Sequence, residues 1–275
     1  MVIKVCVAGA TGFVGSLITR RILESKDFQL VGAVARKKAG QDIGEALGLP
    51  RTGIRIADSV EEALKVPAEV LIDYTQPQAV KNHALKALDQ GTRVVIGTSG
   101  LTERDLEEIG QRAESLKLGV ITAGNFSLTA ALAKHFAQIA AKYLPSWEII
   151  DYADDSKIDA PSGTAQELAE TLSRIAQNSL KVPIESIHGF KEARGASVGG
   201  SQVHSVRLPG FVFGFEVIFG KEGERLSIRQ DSGSSAEIYV QGTLLAAKRV
   251  LDVTGLVRGL DTLLFSNATD TKKIT

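Results

Sequence analysis

The stretch that decides the fold is IKVCVAGATGFVG, residues 3–15. Ile3–Ala8 is a mostly apolar run with β-branched residues, which is typical of a strand buried on both faces. A loop with three glycines follows directly and opens a helical stretch that extends to about Ser25. Glycines at such a turn let the backbone approach a pyrophosphate, and the helix start offers free N–H groups and the positive end of its dipole. The pattern therefore predicts a dinucleotide site rather than a plain tight turn, with five contributors: Gly9, Thr11, Gly12, Phe13 and Val14.

Strands and helices alternate up to about residue 122. Further short β-rich runs are found at Gln29–Ala35, Val70–Asp73, Val94–Ile96 and Leu118–Thr122. Between them, Ser59 and Thr102 are typical N-cap residues followed by acids, and residues 78–89 have helical spacing. This alternation predicts a parallel sheet with helices on both faces.

A different pattern begins after Phe126. Residues 127–143 and 162–177 have helical spacing, and 147–152 is a predicted strand. Three more predicted strands follow, with turn candidates at Leu208-Pro-Gly and Gly220-Lys-Glu-Gly between them: Gln202–Arg207, Phe213–Phe219 and Glu224–Gln230. Their alternating phenylalanines predict a core or a subunit face. Residues 195–200 (GASVGG) are expected to form a mobile loop, and residues 236–251 return to helical spacing.

The predicted fold class is α/β, with a Rossmann-type parallel sheet domain and a smaller α+β domain with an open mixed sheet. We assign residues 1–127 and 240–275 to a dinucleotide-binding domain, and residues 128–239 to a domain for substrate binding and oligomerisation.

Composition excludes several classes of protein. Lys and Arg number 32, as do Asp and Glu, so the formal net charge is zero, which argues against a nucleic-acid or polybasic membrane binder. One cysteine, Cys6, rules out an intrachain disulfide framework, and we expect no metal site because the histidines lack partners at ligand spacing. Without a signal-peptide pattern or a run of about eighteen apolar residues, we expect a cytoplasmic protein with no membrane partner.

The end of the second strand indicates which cofactor binds. An NAD site usually carries an acid there for the ribose hydroxyls, whereas this chain has Ala35-Arg36-Lys37-Lys38. Arg36, with Lys37 beside it, suits a 2′-phosphate, so the sequence predicts NADPH as cofactor, with NADH binding more weakly. A solvated charge run is the alternative.

Three later loops also follow strand ends, where open α/β sheets bind their ligands. Small polar residues in them suit the ribose and nicotinamide of a cofactor, although ordinary turns use the same residues. The candidates are Thr75, Gly97, Thr98, Ser99, Ala123, Gly124, Asn125 and Phe126.

With these motifs the sequence resembles the dihydrodipicolinate (4-hydroxy-tetrahydrodipicolinate) reductase family over nearly its whole length. The most specific motif is Lys157-Ile-Asp-Ala-Pro-Ser-Gly-Thr-Ala165, and Val203-His-Ser-Val-Arg-Leu-Pro-Gly210 is similar too. The resemblance implies an NAD(P)H-dependent reduction in lysine and diaminopimelate synthesis and a homotetramer. It implies that Ser162, Gly163 and Thr164 bind a substrate carboxylate at a helix start, and that Lys157 is catalytic. An alternative for Lys157 is a surface ion pair with Asp159.

The sequence departs from the family pattern in the substrate half. Ala153 and Asp154 stand where the family has two histidines, and Gln230 stands where it has another. Asp154 is a second catalytic candidate, but only if burial raises its pKa well above about 4; a solvated loop residue is the alternative.

Three functions stay open at this point. The chain is a reductase of the lysine-pathway substrate, a paralogue reducing a less anionic imine or carbonyl compound, or a non-catalytic assembly factor.

Overall fold

A computed structural model describes residues 2–265 of the chain. It separates into two compact units: one comprises the chain up to Leu128 and from Ala236 on, and the other is Thr129–Ser235. These bounds fall close to the predicted crossings at 127 and 240. The last ten residues of the predicted dinucleotide domain, 266–275, lie outside the described residues.

The first unit is built on a parallel seven-stranded sheet. Its strands in chain order are β1 (Ile3–Ala8), β2 (Phe28–Val34), β3 (Ile56–Ala57), β4 (Val70–Asp73), β5 (Arg93–Ile96), β6 (Gly119–Thr122) and β12 (Gly255–Arg258). Their spatial order is β12-β6-β5-β4-β1-β2-β3. The parallel sheet is confirmed, whereas β3 and the edge strand β12 were not predicted.

Helices pack around this sheet. They are α1 (Gly15–Leu23), α2 (Ile43–Ala46), α3 (Val60–Ala63), α4 (Pro77–Asp89), α5 (Glu103–Ser115), α8 (Glu237–Arg249) and α9 (Leu260–Phe265). Both predicted N-caps are confirmed: the Ser59 side chain accepts the Glu62 N–H, and Thr102 forms a capping box with Asp105. Each cap satisfies N–H groups that a helix start otherwise leaves without a partner.

The strand register aligns the carboxyl ends of the sheet. Ala8 lies beside Val34 on one side and Asp73 on the other, and Ile96 lies between Asp73 and Thr122. The loops after β1, β2, β4, β5 and β6 therefore leave the sheet at one edge, which is where ligands bind in folds of this type.

The second unit is a mixed five-stranded sheet with two long helices. Its elements are α6 (Leu128–Ala141), which begins at the unit boundary, β7 (Trp147–Ala153), α7 (Gly163–Ile175), β8 (Ala196–Val198), β9 (Ser201–Arg207), β10 (Phe213–Lys221) and β11 (Glu224–Ser232). The spatial order is β11-β10-β7-β9-β8, with β7 parallel to β9 and antiparallel to β10. The predicted mixed sheet is confirmed.

One expectation for this unit is wrong in detail. Residues 196–198 of the expected mobile loop form β8, because they pair antiparallel with β9 as an edge strand. The predicted turn is present at Pro209-Gly210, although the strands on either side of it are not neighbours, since β7 lies between β9 and β10. Of the two roles predicted for the alternating phenylalanines, the core is confirmed for Phe215 and Phe219: both pack with α6 and α7, where each buried ring stabilises the fold by about 1.5–3 kcal/mol.

Within the described residues, no helix combines the length and the apolar character needed to span a membrane.

Candidate functional site

The glycine loop after β1 leaves three backbone N–H groups free. Among the described residues, the amides of Thr11, Phe13 and Val14 donate to no protein acceptor, whereas Gly12 N–H donates to the Gly9 carbonyl at 2.9 Å. Helix α1 follows without a side-chain cap. Uncapped amides at the start of a helix attract anions, so this loop fits the pyrophosphate of a dinucleotide.

The loop has this shape because side chains are excluded at two glycines. Gly9 has a φ of +81°, and a Cβ there would lie 2.1 Å from the Tyr74 carbonyl oxygen. A Cβ on Gly15 would lie 2.1 Å from the Gly9 carbonyl oxygen. Glycine is therefore needed at both positions for the close approach of β1, its loop and the start of α1.

Only two of the three cations after β2 are available to a ligand. Arg36 and Lys37 are exposed, and Arg36 Nη2 donates to Gln76 Oε1 at 2.9 Å. Lys38 instead donates to the Ala46 carbonyl at 2.7 Å and thereby holds α2. Since Gly9 and Ala10 both donate to the Val34 carbonyl, the Arg36–Lys37 pair follows the strand that contacts the glycine loop.

Tyr74 organises the next two loops. A Cβ on Gly97 would lie 2.1 Å from the Tyr74 ring, and the ring of Phe126 lies 6.3 Å from it. The Tyr74 hydroxyl is 2.7 Å from Thr243 Oγ1, and burial raises the pKa of this phenol. Phe126 is 1% exposed, so its side chain belongs to the core and only its backbone could contact a ligand.

Sequence reasoning missed the residue that joins these loops, Asp73. This fully buried carboxylate accepts from Thr75 N (2.9 Å), Thr75 Oγ1 (2.7 Å) and Thr98 Oγ1 (2.7 Å), and it lies 2.8 Å from His83 Nδ1. The two predicted threonines are therefore brought together by one acid. An aspartate that ends the apolar run VLID was the available signal, because a buried acid requires donors nearby.

The other loop candidates are placed less tightly. Ser99 and Gly124 are exposed, and Ala123 is buried after β6. The side-chain oxygen of Asn125 accepts the Ser127 N–H at 2.8 Å, which fixes the turn into α6.

In the second unit, the start of α7 has the geometry of an anion site. Ser162 caps the helix by accepting the Ala165 N–H at 3.3 Å. In the described part of the chain, the amides of Gly163 and Thr164 donate to no protein acceptor. Two adjacent free N–H groups at a helix start suit a carboxylate.

Lys157 lies in the loop before this helix. Its Nζ is 2.6 Å from Asp159 Oδ1, and about a third of its side chain is exposed. The pair holds the pKa of Asp159 below its usual range. The surface pairing considered from the sequence is thus present.

Asp154 does not meet the condition for an acid. Ser156 donates to its carboxylate from the hydroxyl (2.5 Å) and from the backbone (3.0 Å). These bonds lower the pKa of Asp154, and burial is too slight to raise it. The structure therefore contradicts the premise of Asp154 as a proton donor, because a carboxylate so stabilised is ionised at neutral pH.

Comparison with known proteins decides the family. The model for the dihydrodipicolinate reductase N-terminus matches residues 3–126, and the model for its C-terminus matches residues 126–264. The chain belongs to the dihydrodipicolinate reductase family. It is a pyridine-nucleotide-dependent oxidoreductase that acts on a C=N bond, and it stands with the reductases of lysine biosynthesis.

Individual relatives of this reductase family cover the chain almost completely. The 4-hydroxy-tetrahydrodipicolinate reductase of Moorella thermoacetica is 43% identical over 95% of this chain and 98% of its own length. That of Desulfitobacterium hafniense is 41% identical over the same shares. A dipicolinate-bound dihydrodipicolinate reductase from Paenisporosarcina sp. TG-14 has a TM-score of 0.85 at 32% identity, and the match covers 95% of this chain and 99% of that one.

The positions at which we expected family histidines have ordinary packing roles. Ala153 is fully buried at the end of β7. Gln230 is 5% exposed, and its amide nitrogen lies 2.8 Å from Ser232 Oγ and 3.3 Å from Thr129 Oγ1. Neither supplies a proton-transfer group, which leaves Lys157 as the candidate donor among the predicted catalytic residues.

Proposed function

We propose that this chain reduces 4-hydroxy-tetrahydrodipicolinate with NADPH. The observation that carries the proposal is the start of α7, where Ser162 caps one amide and leaves those of Gly163 and Thr164 free for a carboxylate. The curated relatives bear the name of this activity, and the solved relative was crystallised with dipicolinate, a planar cyclic dicarboxylate.

We propose NADPH over NADH because of the cations after β2. The uncapped glycine loop fits a pyrophosphate, and Arg36 can bind a 2′-phosphate with two parallel hydrogen bonds. A bound nicotinamide supplies the hydride. The chain itself would bind the pyrophosphate through the amides of Thr11, Phe13 and Val14. It would bind the ribose region of the cofactor beside Thr75 and Thr98.

Lys157 is our candidate for the proton source. Its ammonium group carries the proton, and the Asp159 carboxylate beside it restricts the side chain. The free amides of Gly163 and Thr164 begin six residues after Lys157, at the start of α7, and would orient a carboxylate of the substrate. A positioned acid of this kind contributes about 10²–10⁴ in rate.

Assembly as a homotetramer in the cytoplasm is part of the proposal. Both helices of the second unit pack on one face of its sheet. Side chains of the other face, such as Glu148, Ile150 and Tyr152, are partly exposed, and Tyr152 stacks on Phe211 with ring centroids 5.1 Å apart. A mixed apolar and polar sheet face of this sort suits contact between subunits.

Steady-state assays test the proposed function. Freshly generated 4-hydroxy-tetrahydrodipicolinate is offered with NADPH or NADH, and cofactor oxidation is followed. We expect turnover at about 1–10³ per second, as for ordinary enzymes, and a lower KM for NADPH. Absence of turnover with either cofactor would refute the proposal.

A second candidate function is reduction of a less anionic cyclic imine or a carbonyl compound. The ionised Asp154, three residues before Lys157, favours it because a fixed negative charge repels a dianion. The same assay with monocarboxylate imines separates the two: a kcat/KM above that for the dicarboxylate would favour the second. A non-catalytic role has no support, since the relatives are named as reductases.

A further inference from the structure

Two charged residues behind the start of α7 have no part in the proposed function so far. Asp151 lies in β7 and is 1% exposed, and Arg207 ends β9. Their side chains form an ion pair, with Arg207 Nη2 2.7 Å from Asp151 Oδ2. Such a pair in the interior of a small unit calls for a physical reason, because buried ion pairs contribute little to stability on balance.

Asp151 fixes the residue that caps α7. Ser162 donates its backbone N–H to Asp151 Oδ2 at 2.8 Å and its hydroxyl to Oδ1 at 2.6 Å. With the hydroxyl hydrogen committed to Asp151, a lone pair of Ser162 Oγ points at the Ala165 N–H. The acid thus determines which amide is capped and which two, those of Gly163 and Thr164, stay free.

Arg207 fixes the other end of the same loop. Its Nη2 donates to the Asp159 carbonyl at 2.8 Å, and its Nη1 donates to the Asp151 carbonyl at 3.1 Å. Asp159 is the residue whose side chain pairs with Lys157. One guanidinium therefore connects the proposed proton source to the strand that holds the anion site.

Charge gives the pair a second effect. An unpaired Asp151 carboxylate, bonded to the residue next to Gly163, would repel an incoming carboxylate, and the Arg207 guanidinium cancels that repulsion. Arg207 Nε is buried and has no acceptor among the described residues, so the fit of this side chain is imperfect. A donor left without a partner is unfavourable for folding, which indicates that stability is not the main reason for the cation.

We propose that Asp151 and Arg207 are positioning residues for substrate binding, which fix the free amides of α7 without adding the uncompensated charge of Asp151 beside them. The inference rests on the proposed function and deepens it. Neither residue touches the substrate in this account; each acts through Ser162 or Asp159.

The effect of the charges on dipicolinate binding can be separated from a structural effect with two variants that remove one charge each, Arg207→Met and Asp151→Asn, together with the double variant. The probe is dipicolinate, a dianion at neutral pH, titrated by calorimetry into the full-length protein saturated with NADPH. Lys221→Met is the control for loss of a cation, because Lys221 pairs with Glu224 in the same unit (3.2 Å) at the end of β10 opposite Phe213, which lies beside Ala153. Urea unfolding is measured for every variant as the test of folding.

The two single variants are expected to change dipicolinate affinity in opposite directions. Arg207→Met leaves an unbalanced anion and weakens binding about 10- to 30-fold, the effect of one unit charge at roughly 8–12 Å and an effective dielectric of 20. Asp151→Asn keeps an acceptor for the Ser162 N–H and leaves an unbalanced cation at the same distance. Loss of the second carboxylate oxygen, which accepts the Ser162 hydroxyl, offsets part of this gain, so binding tightens about 3- to 10-fold. The double variant falls between them, and Lys221→Met binds dipicolinate like the unaltered protein.

Equal weakening of dipicolinate binding by both single variants, or no change in either, would overturn the inference. A purely structural role of the pair predicts equal weakening, and the absence of any role predicts no change. If the unaltered protein with NADPH binds no dipicolinate and reduces no dicarboxylate, the proposed function fails and this inference fails with it. If the unaltered protein binds dipicolinate and reduces the dicarboxylate, but both single variants bind dipicolinate as it does, only this inference fails and the proposed function stands.

Discussion

Asp154 shows how local hydrogen bonds set the chemistry of a single carboxylate. Two donors from Ser156 lower its pKa and thereby stabilise its charged form close to the proposed proton source. Lys157, three residues later, forms an ion pair with Asp159. The two residues should therefore respond to substitution in different ways.

Replacing Lys157 by Met is expected to lower kcat by about 10²–10⁴, because a positioned acid is lost. Asp154→Asn should instead retain kcat and lower KM for a dicarboxylate, since it removes a repulsive charge. Steady-state kinetics with both variants decide the matter, with urea unfolding as the check on folding. A collapse of kcat in Asp154→Asn would restore Asp154 as the acid.

The proposed cofactor preference also depends on single residues. Arg36→Ala should weaken NADPH binding by about 1–3 kcal/mol and leave NADH binding nearly unchanged, because only NADPH has the 2′-phosphate. Lys38→Ala is the matched control, since Lys38 is bonded to the Ala46 carbonyl. Fluorescence titration of both cofactors measures the preference, and an equal loss for NADH and NADPH would contradict this role of Arg36.

At the scale of elements, sequence patterns predicted most of what local rules control. Ser59 and Thr102 cap helices as expected, and the glycine loop has free amides where they were predicted. What escaped prediction depends on distant partners. Strand β8 exists because β9 offers an edge, and β3 and β12 are short strands completed by β2 and β6.

The candidate site shows the same division. Thr75 and Thr98 were found from their places after strands, but Asp73, which accepts from both, was missed because its neighbours come from separate elements. Lys157 was found from its motif, whereas its bond to Asp159 was only an alternative. Asp151 and Arg207 were not singled out, although Arg207 lies in the segment 203–210 that carries the resemblance, because their partners come from separate elements.

Asp73 gives a prediction at this scale, because it joins β4, β5 and α4. Asp73→Asn removes the negative charge of the side chain that accepts hydrogen bonds from both threonine hydroxyls. The free energy of unfolding should therefore fall by about 1–3 kcal/mol, and NADPH should bind more weakly. Thr102→Ala is the control: loss of that cap costs about 1 kcal/mol without an effect on NADPH. Urea unfolding and NADPH titration are the measurements. Unchanged NADPH affinity in Asp73→Asn would show that the threonines need no such support.

For the whole molecule, the one thiol of the chain is a probe of unfolding. Cys6 is fully buried in β1, and burial, with a smaller contribution from the Asp73 charge, raises its pKa from 9.0 to about 12. The folded state therefore keeps this proton at a pH where the unfolded chain has lost it. The resulting stabilisation is complete below about pH 9 and is lost progressively as the pH rises towards 12.

We accordingly expect the free energy of unfolding to fall more steeply between pH 9 and 12 for the unaltered protein than for Cys6→Ala. The difference between the two slopes is at most roughly 1.4 kcal/mol per pH unit. Urea unfolding at several pH values measures the difference, and labelling by a thiol reagent at pH 8 should proceed only through global opening. Rapid labelling under native conditions would contradict the burial of Cys6.

The order of the two units along the chain has a consequence for biosynthesis. Strand β12 completes the sheet of the first unit beside β6, yet more than a hundred residues of the second unit are translated between them. On the ribosome the nascent chain can fold its second unit early, while the first unit waits with an exposed β6 edge until β12 has emerged from the exit tunnel. Translation stalled before residue 255 would therefore release a polypeptide prone to pairing with strands of other molecules.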